Sequence, residues 1–147
     1  MRVERPSTKT ILLAEDDEDD YILFCEVIKD YEGQLALKWI KNGEELMKAL
    51  KHEKADIIFL DINMPIKNGF ECLTEIRNDD QLKDLPIVIF STSNDNKLVN
   101  WMYNAGANLY LCKPTEYKKL KSSIHKAIGM DWEKQTPFSR VEDFVLD

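Results

Sequence analysis

Five short apolar runs alternate along the chain with longer segments in which apolar residues recur at helical spacing. The runs cover residues 10–15, 35–40, 55–61, 86–91 and 108–113. Four of them are almost continuously apolar, and only the second, LALKWI, is a partial exception. Continuous apolar runs are typical of strands that are covered on both faces, as in a parallel sheet. The pattern therefore predicts five parallel β-strands.

The segments between the runs carry apolar stripes that are typical of helices. The stripes lie at 21–28, 46–50, 70–77, 98–105 and 120–128. Gly106 and Gly129 follow the last two stripes, at the position where a glycine commonly ends a helix. The chain thus repeats a βα unit five times, and right-handed crossovers favour a doubly wound α/β sandwich. We expect a flavodoxin-like parallel sheet of five strands in the order 2-1-3-4-5.

Composition narrows the class of protein without naming a function. The chain has 147 residues, which suits one domain, and 44% of them are hydrophobic and 32% charged. Its formal net charge of -7 disfavours binding to nucleic acid or to an anionic membrane, since both attract basic surfaces. No apolar run approaches the ~20 residues of a membrane-spanning helix. The N-terminus lacks the apolar centre of a secretory signal, so we expect a cytoplasmic protein.

The three cysteines, Cys25, Cys72 and Cys112, fit neither a disulfide framework nor a zinc site, because they are odd in number and widely spaced. Each lies among apolar neighbours. We therefore predict reduced thiols in the core of the domain.

The two ends of the chain are expected to differ from the repeating part. We predict an N-terminal extension at 1–8, a domain at 9–129 and a C-terminal extension at 130–147. The last segment contains Trp132, Phe138 and Phe144, more apolar surface than a tail in water needs. We expect it to pack on the domain or on a second subunit, and the alternative is a dedicated docking segment for a partner.

Polar residues follow four of the five predicted strands. Glu15 and Asp16 end the first strand, Asp61 the third, Ser91 the fourth and Lys113 the fifth. In an open α/β sheet, ligands bind beyond the carboxyl ends of the strands. A single residue of this kind is commonly a helix cap or a solvated charge, but the convergence of all of them on one edge predicts a functional site.

The residue types in this predicted site suit phosphoryl chemistry. Several carboxylates in a small cleft repel each other unless a cation neutralises them, and oxygen ligands favour a hard cation such as Mg²⁺. A lysine and a hydroxyl opposite the metal could hold the remaining oxygens of a phosphoryl group. Asp61 is the best candidate for the nucleophile, because it ends the central strand.

These motifs resemble the receiver domain of two-component response regulators, and single-domain receivers of the chemotaxis-regulator type in particular. The resemblance covers residues 9–129 and is carried by four stretches. They are ILLAEDD, IIFLDINMPIKNGFE, PIVIFSTS and AGANLYLCKP. The combination of DINMP, a following NG and a downstream KP is highly specific.

The resemblance implies a magnesium site and a phosphoacceptor. Glu15 and Asp16 match the acidic pair that binds Mg²⁺, Asp61 matches the phosphorylated aspartate, and Asn63 matches the residue whose backbone carbonyl joins the metal. Asp17, Glu18, Asp19 and Asp20 match no catalytic position, and we predict them as first-turn charges of the first helix.

The same resemblance implies a switch and protein partners. Ser91 matches the switch hydroxyl of the family, and Lys113 matches its characteristic lysine. Tyr110 matches the aromatic residue that turns inward on phosphorylation. The phosphoryl donor would be a sensor histidine kinase or a phosphotransfer protein. Phosphotransfer and dephosphorylation would be self-catalysed, and the signal would leave by contact with a downstream protein target. A homodimer is compatible with this scheme.

Three alternatives stay open from the sequence. The chain could be a phosphorelay intermediate that passes the phosphoryl group on. A phosphohydrolase with an aspartyl-phosphate intermediate usually needs a second aspartate two residues after the nucleophile, and position 63 is Asn. A flavodoxin-like FMN binder would want a Ser/Thr/Gly-rich loop after the first strand, where this chain is acidic.

Overall fold

The structure is a computed structural model that describes residues 8–132, 138 and 140–146. This part of the chain contains six strands and six helices. The strands are β1 (Lys9–Ala14), β2 (Leu35–Ile40), β3 (Ile57–Leu60), β4 (Ile87–Ser91), β5 (Leu109–Cys112) and β6 (Val145–Leu146). The helices are α1 (Glu18–Ile28), α2 (Gly43–His52), α3 (Gly69–Arg77), α4 (Asn96–Asn104), α5 (Tyr117–Gly129) and α6 (Val141–Phe144). Apart from Thr8, the predicted N-terminal extension lies outside the described residues.

The sheet is parallel and has six strands in the order β2-β1-β3-β4-β5-β6. The predicted order of the first five strands is confirmed, but the predicted count of five is wrong. The sixth strand has two residues, and Val145 pairs with Tyr110 while Leu146 pairs with Leu111. A strand this short has no periodicity of its own, so only its contact with β5 defines it.

The apolar core lies on both faces of the sheet, which explains the continuous apolar runs. Along β1, Leu12 and Ala14 face the layer formed by α2, α3 and α4, whereas Ile11 and Leu13 face α1 and α5. All four are fully buried. Alternate residues of one strand thus serve two separate core layers.

Side-chain caps fix where several helices begin. Asp17 accepts hydrogen bonds from the backbone N–H groups of Asp19 and Asp20 and so caps α1. Asn68 and Glu71 form a reciprocal capping box at the start of α3. These caps hold the N-terminal turns of α1 and α3 directly beyond the carboxyl ends of β1 and β3.

The described C-terminal residues pack against α4 and β5. Phe144 is fully buried. Its ring lies 5.2 Å from that of Tyr103 and 6.3 Å from that of Tyr110, measured between centroids. The Tyr103 hydroxyl also donates a hydrogen bond to the backbone carbonyl of Phe138. This packing gives β6 its place beside β5.

None of the three cysteines, all of which are described, forms a disulfide bond, but the core burial predicted for them holds only for Cys72. Cys25 and Cys112 are half-buried. Cys25 lies on helix α1 and Cys112 is the last residue of β5, so apolar neighbours in sequence did not ensure burial. Among the described helices, none is both long and apolar enough to cross a membrane.

Candidate functional site

Three carboxylates meet at the carboxyl ends of β1 and β3. Oxygen atoms of Glu15, Asp16 and Asp61 all lie within 4.8 Å of one another. The backbone N–H of Asp61 donates to the carbonyl of Ala14 at 3.0 Å, so β1 and β3 remain paired up to the site. Glu15 and Asp61 are 1% and 9% exposed, whereas Asp16 is open to solvent. The cluster is therefore accessible from one side only.

The backbone of Glu15 is hydrogen-bonded to two residues of strand β2. Its backbone N–H donates to Ile40 at 2.9 Å, and its carbonyl accepts a hydrogen bond from the Trp39 indole at 2.6 Å. The Trp39 ring stacks on Tyr21, with centroids 4.1 Å apart and planes 4° from parallel. Strand β2 thus fixes the position of Glu15 at the end of β1, a contact that the sequence pattern does not predict.

Lys113 joins the carboxylates from β5. Its ammonium Nζ lies 2.7 Å from Oε2 of Glu15 and 2.9 Å from Oδ2 of Asp20. It also lies 4.7 Å from the centroid of the Phe90 ring. The lysine side chain is only 10% exposed, so these contacts are largely screened from water.

Asp20 lies in the first turn of α1, as predicted, and it also makes a contact with the site that the sequence does not predict. Its carboxylate turns toward Lys113. The sequence holds no distinctive signal for this ion pair, because the partner lies 93 residues away. Asp17, by contrast, is the N-cap of α1 and precedes the first turn in which it was predicted.

Burial makes the charges of this site costly. It raises the pKa of Glu15 to about 7, and the charge and hydrogen bond of Lys113 oppose the shift only in part. Burial also raises the pKa of Asp61, again against the charge of Lys113. The Lys113 pKa is lowered by burial, but its bonds to Glu15 and Asp20 outweigh this and raise it overall. A second cation would favour the ionised carboxylates, and an all-oxygen donor set suits a hard divalent ion.

The backbone beyond Asp61 is shaped by a close approach of α3. A side chain on Gly69 would place its Cβ only 2.3 Å from the carbonyl oxygen of Asp61. The Gly69 N–H donates to the carbonyl of Ile62 at 2.9 Å. The N–H of Asn63 points back to Oδ1 of Asp61 at 3.4 Å. Glycine is therefore needed where the helix meets the site.

The loop between β3 and α3 contains a strained turn. Ile66 has a φ of 71°, the left-handed region that β-branched residues avoid. The Lys67 N–H donates to the Pro65 carbonyl at 2.8 Å across it. The Ile66 side chain is 73% exposed, so packing does not explain this conformation. Strain of this kind clusters at functional sites.

Ser91 and Tyr110 lie on adjacent strands and are joined through the backbone of Ser93. The Ser93 N–H donates to the Ser91 hydroxyl oxygen at 3.2 Å, and the Tyr110 hydroxyl donates to the Ser93 carbonyl at 2.6 Å. Tyr110 is fully buried, with its ring turned inward, and burial raises its pKa. The two predicted switch residues are thus connected.

Comparison with known proteins identifies the family. The model of the response regulator receiver domain family matches residues 11–125. The chain belongs to this family. The receiver resembles response regulator Rcp1 of Synechocystis, with 33% identity over 127 residues that span 82% of this chain and 86% of Rcp1. It is also 32% identical over 120 residues to the probable C4-dicarboxylate response regulator DctR of Bacillus subtilis, but spans only 50% of that protein.

Solved receivers share the fold of this chain. The Mn²⁺-bound form of Rcp1 superposes with a TM-score of 0.75 at 31% identity, covering 88% of this chain and 97% of that one. The phosphorylated cyanobacterial phytochrome response regulator RcpA superposes with a TM-score of 0.78 at 30% identity, covering 89% and 98%. Membership of the family supports a function in two-component signal transduction.

The structure brings most of the predicted site residues of this receiver together. Glu15, Asp16 and Asp61 form the carboxylate cluster, and Lys113 contacts it through Glu15. Asn63 follows directly in the β3–α3 loop. Ser91 ends β4, the strand beside β3, and Tyr110 lies on β5, the strand beside β4. Their chemical roles remain predictions.

Proposed function

We propose that Asp61 is the phosphoacceptor of this receiver. The observation that supports this most is the cluster itself, in which Asp61 lies within 4.8 Å of two further carboxylates at the end of a central strand. Such a group is already a nucleophile when ionised, so it needs no separate base. The donor would be a phosphohistidine on a sensor histidine kinase or a phosphotransfer protein.

We further propose that Glu15, Asp16, Asp61 and the carbonyl of Asn63 hold Mg²⁺. The donors are all oxygens, as this ion prefers, and two of the carboxylates have pKa values raised by burial, so a cation would relieve their repulsion. When bound, Mg²⁺ supplies positive charge that offsets the charge on the transferring phosphoryl oxygens.

The proposed transfer joins a carboxylate oxygen of Asp61 to phosphorus while the phosphorus–nitrogen bond of the phosphohistidine breaks. The bonding electron pair stays on the imidazole, which takes up a proton. Lys113 and Ser91 bind oxygens of the transferred group and stabilise their charge. Lys113 exchanges a carboxylate contact for a phosphoryl oxygen in this step. Attack of water on the aspartyl phosphate later restores Asp61, so both steps are self-catalysed.

The signal leaves this receiver by contact with a downstream protein target in our proposal. Phosphorylation draws the Ser91 hydroxyl toward the site and favours the inward position of Tyr110, a shift in population between two packings. We expect the reaction to take place in the cytoplasm. The scheme is compatible with a homodimer, and it does not require one.

Phosphorylation by acetyl phosphate tests the proposal directly. We expect the wild-type chain to form a Mg²⁺-dependent, hydroxylamine-sensitive acyl phosphate. Asp61→Asn should form none, because the side-chain amide of asparagine is not a nucleophile. Intact-protein mass spectrometry measures the added mass.

Asp19→Asn is the matched control, since it makes the same chemical change on an exposed first-turn residue of α1. It should be phosphorylated like the wild type. A Mg²⁺-dependent acyl phosphate that persists in Asp61→Asn would falsify the assignment.

A further inference from the structure

The outer edge of β5 is covered by residues 144–146, which have no part in the proposed function. The ring of Phe144 is fully buried between those of Tyr103 and Tyr110, and residues 145 and 146 extend the sheet in parallel with β5. We call the surface formed by Tyr103, Tyr110 and Leu111 the β5 groove. It receives the ring of Phe144, the last residue of α6, in a pocket, and the two residues that follow, Val145 and Leu146, pair with β5 by strand addition.

The β5 groove is connected to the proposed phosphorylation site by consecutive contacts. Phe144 packs on Tyr110, whose hydroxyl donates to the carbonyl of Ser93 at 2.6 Å. The N–H of Ser93 in turn donates to the hydroxyl oxygen of Ser91 at 3.2 Å. A movement of the Ser91 hydroxyl toward a phosphoryl group would therefore be transmitted to Phe144 through the backbone of Ser93 and the ring of Tyr110.

The packing also fixes the direction of the effect. Tyr110 and Phe144 are both fully buried and their rings meet edge to face, so an outward rotation of Tyr110 requires Phe144 to move. A docked Phe144 thus stabilises the inward Tyr110. Removing the ring uncovers Tyr110 and leaves a cavity beside it, which lowers the preference for the inward position.

We propose that the β5 groove is a docking site for the chain's own C-terminal segment, and that docking and phosphorylation of Asp61 strengthen each other through Tyr110. The coupling rests on the proposed function, in which phosphorylation favours the inward Tyr110. Coupling between two binding events is reciprocal, so an occupied groove raises the affinity of the site for a phosphoryl group by the same factor. A partner that binds the β5 edge must first displace this segment.

Beryllofluoride with Mg²⁺ serves as the probe, because it forms a stable mimic of the phosphoryl group on an aspartate. Isothermal titration of the full-length chain gives its dissociation constant in wild type, Phe144→Ala and Phe144→Leu. We expect Phe144→Ala to weaken beryllofluoride binding about fivefold or more, the lower end of typical coupling, and Phe144→Leu to restore part of the loss.

Leu50→Ala is the matched control for stability. Leu50 is buried in the same core layer but lies on α2, a different element from those that form the β5 groove and the site, so the variant should lose stability with unchanged beryllofluoride affinity. A wild-type chain that binds no beryllofluoride would overturn the proposed function instead. Equal affinity in wild type and Phe144→Ala, with normal wild-type binding, would overturn the coupling alone.

Hydrogen exchange of the wild-type chain gives a second measurement that needs no substitution. We expect the amides of residues 141–146 to exchange several-fold more slowly with Mg²⁺ and beryllofluoride than with Mg²⁺ alone. Unchanged exchange would contradict the coupling. Protection that increases with protein concentration would contradict docking within one chain, because it would show that the segment binds a second copy.

Discussion

The carboxyl edge of the sheet and the outer edge of β5 meet at Tyr110, but different forces hold them together. At the carboxyl edge, Glu15 and Lys113 form an ion pair of 2.7 Å beside carboxylates whose pKa values are raised by burial. At the β5 edge, Phe144 is buried among aromatic rings. The first region concentrates unfavourable charge, and the second buries apolar surface.

Because of this difference, a substitution at one edge should mainly change binding, and a substitution at the other should mainly change stability. Removing a charge at the carboxyl edge should reduce binding and chemistry while stability changes little, since repulsion is relieved at the same time. Removing a ring at the β5 edge should reduce stability first. Substitutions at each edge test whether binding and stability respond separately. Gly69→Ala is the exception at the carboxyl edge, because it changes the available space and not a charge.

Gly69→Ala should have the largest effect, because here the carboxyl edge depends on space rather than charge. The new Cβ would lie 2.3 Å from the carbonyl of Asp61, so the backbone of the site must shift. We expect a loss of about 4 kcal/mol in the free energy of unfolding, at the upper end for one substitution, with loss of phosphorylation. Urea denaturation and acetyl phosphate labelling measure the two effects.

Gly129→Ala is the matched control for this glycine. Among the described residues, the Tyr31 hydroxyl alone would meet a Cβ on Gly129, at 3.6 Å, an ordinary contact. This substitution at the end of α5 should stabilise the chain by about 0.5 kcal/mol. Equal stability of the two alanine variants would show that the close approach of α3 is not needed.

Phe144→Ala should destabilise the chain by about 3 kcal/mol, the lower limit for deletion of a buried phenylalanine, because the short segment can detach rather than keep a cavity. Chemical denaturation followed by circular dichroism measures the change. Glu142→Ala, on the exposed side of α6, should stay within about 0.5 kcal/mol of wild type. A loss below 1 kcal/mol for Phe144→Ala would remove the packing role of the β5 edge.

Asp16→Asn should affect binding instead of stability. It removes one of three clustered carboxylates, so we expect Mg²⁺ affinity to fall about tenfold, or 1.4 kcal/mol, while the free energy of unfolding without metal changes by less than about 0.5 kcal/mol. Titration calorimetry and thermal melting measure these quantities. Unchanged Mg²⁺ affinity would contradict the metal site, and a large loss of stability would contradict the division between the two edges.

Cys72 tests the apolar layer that underlies both edges, with the smallest effect on the protein. Burial raises its pKa to about 11. The folded chain therefore keeps this thiol protonated above pH 9, and the stability that the group contributes falls as the pH rises from about 9 toward 11. At pH 9 we expect iodoacetamide to modify Cys72 at least about tenfold more slowly in the folded than in the unfolded chain.

The half-buried Cys25 and Cys112 provide the comparison within the same sample. Peptide mapping after a short exposure to the reagent should find them modified before Cys72. Simultaneous modification of all three thiols would show that the layer opens readily.

Sequence alone predicted the carboxyl edge well, because its signals are local. Asp61, Ser91 and Lys113 each stand at or directly after the last residue of an apolar run, and the parallel sheet then carries them to one edge. The ion pair of Asp20 was missed because the first turn of a helix explains an acid equally well. The indole bond of Trp39 was missed because tryptophan in a strand already suits the core.

The β5 edge was predicted less well because its contacts are remote in sequence. Phe138 and Phe144 were visible as apolar residues after the last helix, and their number indicated packing without a location. The pairing of Val145 with Tyr110 depends on the whole fold, since 35 positions separate the two residues. A two-residue strand offers too few positions for a pattern.

The short strand β6 also bears on self-association. A parallel sheet ends in two outer strands whose backbone groups are free to pair with another molecule, and such edges promote aggregation. Here β2 forms one border of the sheet, while β6 covers β5 at Tyr110 and Leu111. Release of residues 144–146 would expose the backbone edge of β5 to neighbouring chains. We therefore expect the same few residues to limit aggregation of the protein.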